Sequence, residues 1–151
     1  PYFSSDQGIL VKAGVKVDTE SIKKLRLGVK QGTTILGYLA DNVKPVEQPK
    51  VFAEAAAMYA ALAAGQVDAV LYDTPNLLAR AKQSNGLFEV VGRYDTGERW
   101  GGLVNKDSQN MATFNKLIDE MKRDGTFARL ANQYLTPSLG ADPTKVPVFN
   151  P

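Results

Sequence analysis

Two polar clusters have the residue types needed to hold a small ligand, and each follows a short apolar segment. The first is Lys30-Gln31-Gly32-Thr33-Thr34, which comes directly after Leu25–Val29 and before a stretch with helical spacing. The second is Asp73, which directly follows Ala69–Tyr72. Because ligands of open α/β sheets bind beyond the carboxyl ends of the strands, both clusters are candidate binding residues.

The Gly32-Thr33-Thr34 cluster suits an anion such as a carboxylate or a phosphate. Backbone N–H groups at the start of a helix have no partner within the helix and carry the positive end of its dipole. Threonine hydroxyls would add further donors to such a site. The same pattern also fits an ordinary helix N-cap formed by Thr33 or Thr34. The sequence leaves both interpretations open.

The carboxylate of Asp73 suits an ammonium group. Pro75 favours the first position of a helix, which would make Thr74 the N-cap and leave Asp73 one residue too early to cap. An anion site and a carboxylate on one edge match a zwitterion, so the sequence predicts a free α-amino acid as ligand. Lys30 is a weaker candidate for contacting the ligand side chain, and a solvated lysine is the alternative.

The composition excludes several classes of function. The 151 residues contain neither cysteine nor histidine, which removes thiolate nucleophiles, histidine bases and most transition-metal sites. The 18 basic and 16 acidic residues are interleaved, which gives no electrostatic case for nucleic acid. No apolar run is long enough for a transmembrane helix, and no phosphate-binding glycine motif is present. The sequence predicts a single-domain binder without metal, cofactor or catalytic residues.

The pattern of apolar residues predicts alternating strands and helices. Strands are predicted at Gly8–Lys12, Leu25–Val29, Ala69–Tyr72, Phe88–Val91 and Trp100–Val104. Helices are predicted at Val17–Lys24, Ile35–Val43, Val51–Ala64, Pro75–Lys82, Met111–Lys122 and Phe127–Leu135. The four prolines of Thr136–Pro151 predict an irregular tail. The alternation predicts an α/β three-layer sandwich with a mostly parallel sheet covered on both faces.

Five short segments match, in order, the motifs of one protein family. They are Pro1-Tyr2-Phe3, Gly28–Thr34, Val67–Asp73, Trp100–Asn105 and Asp124-Gly125-Thr126 with Tyr134. Together they resemble the extracellular solute-binding proteins of bacterial ABC importers for polar amino acids, solute-binding family 3. The segment Val70–Asn76 is especially similar to the glutamine-binding members.

The resemblance implies a type II periplasmic-binding fold, in which two lobes are joined by two hinge strands. On this basis residues 1–12 form the first hinge strand and 13–98 form lobe two. Residues 99–135 form the return hinge strand and C-terminal helices, and 136–151 form the tail. Members of the family carry most of lobe one before the Pro-Tyr-Phe segment. The chain is therefore expected to be a lobe-two fragment, with a signal peptide in its precursor.

The same resemblance implies roles for particular residues. Thr33 and Thr34, in the loop that contains Gly32, would hold the carboxylate end of the ligand. Asp73 would bind its α-ammonium group. The remaining two candidates, Lys30 and Tyr72, would lie near the ligand side chain.

The implied partners are a free polar amino acid, either glutamine- or glutamate-like or basic, and the membrane permease of an ABC importer. The implied location is extracytoplasmic. A truncated surface would expose apolar area, which favours self-association or domain swapping. Two alternatives share the fold: an enzyme resembling cyclohexadienyl dehydratases and the extracellular ligand-sensing domain of a receptor.

Overall fold

A five-stranded sheet with helices on both faces forms the body of the fold. The computed structural model describes residues 1–151. The strands are β1 (Phe3–Ser4), β2 (Gln7–Lys12), β3 (Leu27–Lys30), β4 (Lys50–Phe52), β5 (Ala69–Asp73), β6 (Phe88–Tyr94) and β7 (Arg99–Trp100). The helices are α1 (Ile35–Tyr38), α2 (Ala55–Ala63), α3 (Thr74–Gln83), α4 (Met111–Arg123), α5 (Thr126–Leu130) and α6 (Thr136–Leu139). A π-helical turn, Leu39–Val43, continues α1.

The strand order of the sheet is β4-β3-β5-β2-β6. Strand β3 pairs in parallel with both β4 and β5, whereas β2 pairs antiparallel with both β5 and β6. Four strands therefore run in one direction and β2 runs in the other. This confirms the predicted α/β fold with a mostly parallel sheet. The reversed β2 places its amino end at the same edge as the carboxyl ends of its neighbours.

The alternation of side chains along the central strands builds a core on each face of the sheet. Ile9 and Val11 of β2 face one core, and Leu10 between them faces the other. All three are fully buried, as are Ile35 on the first face and Met58 on the second. Burial of each such side chain contributes roughly 1.5–3 kcal/mol relative to exposure, so both layers hold the sheet firmly.

The predicted helix over Val51–Ala64 is wrong at its amino end. Val51 lies in β4, where it pairs with Val29 of β3, and Glu54 is still extended before α2 begins at Ala55. The alanine-rich composition favours a helix but does not fix where it starts. Pairing with an available strand edge decides the conformation of Lys50–Phe52 instead.

Two further predicted elements are shorter in the structure. The strand predicted over Trp100–Val104 ends at Trp100, because its partner β1 is only two residues long and pairs Phe3 with Trp100. The helix predicted over Val17–Lys24 is a single 3₁₀ turn at Ser21–Lys24.

Residues 136–151, for which the sequence predicts no regular structure, pack against the sheet. Besides α6 they form a 3₁₀ turn at Pro143–Lys145. Beyond that turn, the Phe149 N–H donates to Arg93 O at 2.8 Å, and the Arg93 N–H donates to Pro147 O at 2.8 Å. Prolines exclude a long helix but permit an extended segment, and here that segment extends the exposed edge of β6.

Helix α4 lies outside the layered body. It has a clear apolar face, as its spacing predicts, but none of its residues is buried. None of the helices of the chain combines the length and apolar character needed to cross a membrane.

Candidate ligand-binding site

The direction of β2 brings the polar residues together at one edge of the sheet. Gln7, the first residue of β2, pairs on one side with Asp73 at the carboxyl end of β5. On the other side it pairs with Tyr94 at the carboxyl end of β6. Lys30 ends β3 at the same edge, and the turn that begins α1 follows it. This edge therefore collects the ends of four strands.

The turn between β3 and α1 offers unpaired backbone donors. Gly32 has a φ of +77°, a conformation that glycine adopts without strain. The Thr33 hydroxyl donates to Lys30 O at 2.7 Å, which closes the turn. The N–H groups of Gly32, Thr33 and Thr34 donate no hydrogen bond within the chain. Thr34 occupies the N-cap position of α1, as one of the two interpretations predicts, but its side chain makes no capping hydrogen bond. What remains is a turn with three free donors, which suits an anion.

The helix boundary at Asp73 differs from the prediction. Helix α3 begins at Thr74 and Asp73 occupies the N-cap position, whereas the sequence predicts Thr74 as the cap. The Thr74 hydroxyl donates to Asp6 O at 2.7 Å, and this contact with the chain before β2 fixes the boundary. The Asp73 side chain nevertheless makes no capping hydrogen bond. It accepts one from Gln7 Nε2 at 2.9 Å instead, so its carboxylate faces the edge of the sheet.

The electrostatic surroundings of Asp73 oppose its ionisation. Partial burial raises the pKa of its carboxyl group above the ordinary value, and the nearby Glu98 carboxylate raises it further. The hydrogen bond from Gln7 acts in the opposite direction because it stabilises the ionised form. A cation placed beside Asp73 would relieve this cost.

Four of the six predicted site residues line one cleft of about 270 Å³ at this edge. The complete lining is Gln7, Gly32, Thr33, Thr34, Asp73, Glu98, Arg99 and Trp100. The residues of the turn and Asp73 therefore border one space, which is the arrangement that an α-amino acid would need.

The remaining two predicted residues lie outside the cleft. The Lys30 ammonium group lies 3.3 Å from Gln31 O, and only the backbone of Lys30 supports the turn. Tyr72, one residue before Asp73 on β5, points to the other face of the sheet. There it packs on the second core and lines a separate hollow with Tyr59 and Arg80.

Gln7 and Glu98 belong to the cleft and are missing from the sequence prediction. Gln7 is only 1% exposed and its amide lies between the Asp73 and Glu98 carboxylates. A polar residue at the start of an apolar strand is a weak signal for Gln7. The sequence contains no signal for Glu98, because the position of this residue depends on the path of the chain between β6 and β7.

The chain is similar in sequence to known amino-acid-binding proteins. No protein-family model matches the sequence. The chain is 27% identical over 143 residues to the lysine/arginine/ornithine-binding periplasmic protein of Escherichia coli, covering 87% of this chain and 55% of that protein. It is 31% identical to the glutamate-binding protein GluB of Corynebacterium glutamicum, covering 94% of this chain and 50% of that protein. The chain thus spans about half the length of the curated relatives it matches.

Comparison with solved structures shows similarity to the same kind of protein. An ancestral arginine-binding protein bound to glutamine superimposes with a TM-score of 0.69 at 31% identity, over 89% of this chain and 61% of that one. The chain has the family 3 solute-binding fold. This confirms the resemblance drawn from the sequence motifs. Within this solute-binding fold, the cleft at the sheet edge is the candidate site.

Proposed function

We propose that the chain binds the head group of a free polar amino acid, as part of the solute-binding component of an ABC importer. The free N–H groups of the Gly32–Thr34 turn would hold the α-carboxylate. Asp73 would accept hydrogen bonds from the α-ammonium group. The remainder of the ligand would extend toward Trp100 at the mouth of the cleft.

One observation carries this proposal: the donors of the turn and the Asp73 carboxylate line the same cleft although they are about 40 residues apart in sequence. A zwitterion is the small ligand whose two charges match them. The names of the relatives, which include lysine/arginine/ornithine-binding and glutamate-binding proteins, support the amino-acid class. They support binding rather than catalysis as the activity.

Ligand analogues test the proposal on the 151-residue chain. A ligand that binds only the folded state raises stability by RT ln(1 + [L]/Kd), about 1.8 kcal/mol at twenty times Kd. We expect a polar amino acid such as L-glutamine to raise the Tm, and analogues without the α-ammonium or the α-carboxylate group to raise it far less. Equal stabilisation by all three would contradict a zwitterion site, and so would the absence of any effect.

The partners and location follow from the same proposal. An importer component would deliver its amino acid to a membrane permease and would act outside the cytoplasm, as the periplasmic relative from Escherichia coli does by its name. The apolar face of α4 also supports self-association of the chain, because Phe114 and Leu117 are 50% and 48% exposed. Sedimentation velocity tests this: Phe114→Glu should reduce a concentration-dependent dimer, and Ala112→Glu, on the opposite face of the helix, should not.

A further inference from the structure

Glu98 places a second carboxylate in the cleft beside Asp73. It lies in the segment between β6 and β7 and is partly buried. Its carboxylate accepts hydrogen bonds from Gln7 Nε2 at 2.7 Å, from the Thr34 hydroxyl and from the Thr96 hydroxyl at 3.3 Å. These three contacts hold it between the turn and β2.

Both carboxylates are bound to the same amide nitrogen. Gln7 Nε2 donates to Asp73 at 2.9 Å and to Glu98 at 2.7 Å, so both of its hydrogens are used. The two negative charges therefore lie on either side of one neutral group, a separation at which like charges repel appreciably.

No basic side chain pairs with either carboxylate, since all ion pairs of the chain lie elsewhere. Arg99 is the one basic residue in the lining of the cleft, and its guanidinium group donates to the backbone carbonyl of Glu98 at 2.9 Å. The cleft consequently carries an excess of negative charge that a ligand can offset.

Gln7 is bound to both carboxylates, but the other end of its amide lacks a donor. Its side chain is almost completely buried, and its carbonyl oxygen Oε1 has no hydrogen-bond partner. A buried acceptor without a donor is costly and uncommon in folded proteins. The two carboxylates, with no basic side chain paired to either, suit a positively charged group with several N–H donors, such as an ammonium or a guanidinium.

We infer that Glu98 is a specificity-determining residue that makes the cleft prefer amino acids with a cationic side chain over those with an acidic one. The inference rests on the proposed function, in which Asp73 takes the α-ammonium group. With Asp73 so neutralised, Glu98 remains as an unpaired charge. A lysine- or arginine-like ligand offsets that charge, a neutral ligand leaves it, and a glutamate-like ligand adds another negative charge beside it.

Affinity ratios in matched variants test this inference. Dissociation constants of the 151-residue chain for L-arginine and L-glutamate are measured by NMR titration. We expect arginine to bind about tenfold more tightly than glutamate. Glu98→Gln, which keeps an acceptor for Thr34, should reduce this ratio to about two or less. Glu98→Asp, which restores the charge, should recover most of the preference, and Glu120→Gln on the exposed face of α4 should leave it unchanged.

Each of the other outcomes has a distinct meaning. Glutamate binding as tightly as arginine, or a ratio unaffected by Glu98→Gln, would overturn the inference and leave the proposed function standing. A loss of preference in both Glu98→Gln and Glu98→Asp would assign the effect to the shape of the side chain and would also overturn it. Binding of neither amino acid would overturn the inference and the proposed function together.

Discussion

At the scale of single residues, Asp73 combines a cost to the fold with the role in binding that we propose for it. Its pKa is raised, chiefly by burial, so the folded state disfavours its ionised form. For a group with a raised folded pKa, the contribution to stability is fully present below the unfolded pKa and is lost as pH rises through the folded pKa. At neutral pH the ionised Asp73 therefore reduces stability, and it is also the form that an ammonium ligand needs.

Replacing this carboxylate should separate the two effects. Asp73→Asn keeps an acceptor for Gln7 but removes the charge, so amino-acid affinity should fall about 10- to 150-fold, the equivalent of one charged hydrogen bond. The Tm at pH 7 should rise by roughly 2–4 °C at most, because a buried charge is removed. Titration calorimetry and thermal unfolding measure the two quantities.

Asp107→Asn serves as the matched control, since Asp107 is exposed and lies outside the cleft. It should change neither affinity nor stability. In the wild-type chain, binding should weaken as the solution is acidified through the raised pKa of Asp73. Unchanged affinity in Asp73→Asn would remove Asp73 from the site.

At the scale of elements, the Gly32 turn is where we expect backbone conformation to control binding. The φ of Gly32 is +77°, and a Cβ added there would meet no atom within 4 Å. The cost of Gly32→Ala is therefore backbone strain rather than a clash, roughly 1–2 kcal/mol. Because the strain acts on the turn that presents the free N–H groups, affinity should fall together with stability.

Gly86 provides the control for this prediction. Its φ is similar, at +85°, and a Cβ added there would also meet no atom within 4 Å. The turn that contains Gly86 lies away from the cleft. Gly86→Ala should lower the free energy of unfolding by a comparable amount in urea denaturation and leave amino-acid affinity unchanged. Equal losses of affinity in the two variants would mean that the Gly32 turn has no special part in binding.

The contact between β6 and the C-terminal segment gives a second prediction at this scale. A Cβ on Gly92 would lie 2.5 Å from the ring of Phe149, so Gly92→Ala should cost about 1–3 kcal/mol of stability. In a Phe149→Ala background the same change should cost much less, as a double-mutant cycle by urea unfolding measures. Gly37→Ala, where no atom lies within 4 Å, should cost nothing. Additive losses at Gly92 and Phe149 would contradict the packing of this segment.

The elements also show what the sequence could predict. Ala69–Tyr72 and the Gly-Thr-Thr turn follow from local patterns, so the sequence could predict that Asp73, Thr33 and Thr34 lie at this edge of the sheet. The direction of β2 depends on pairing with distant strands, and no local pattern encodes it. For that reason Gln7 and Glu98, which reach the cleft through β2 and the β6–β7 segment, could not be found.

At the scale of the whole molecule, the cleft owes its existence to one reversed strand. Four parallel strands bring their carboxyl ends to one edge, and β2 adds its amino end there. The side chains at that edge would contact only one side of a bound amino acid, because the space of about 270 Å³ opens to solvent on the other. We therefore expect the 151-residue chain to bind with a Kd of roughly a millimolar, near −4 kcal/mol.

An NMR titration of the ¹⁵N-labelled chain with L-arginine tests the central claim most directly, because it locates the binding site and measures the Kd at once. We expect saturable shifts confined to the backbone amides of Gly32, Thr33 and Thr34 and to the side-chain amide of Gln7, which joins Asp73 to Glu98. Shifts that avoid these four groups, or no saturable shifts at concentrations tenfold above a millimolar, would contradict an amino-acid site at this edge of the sheet.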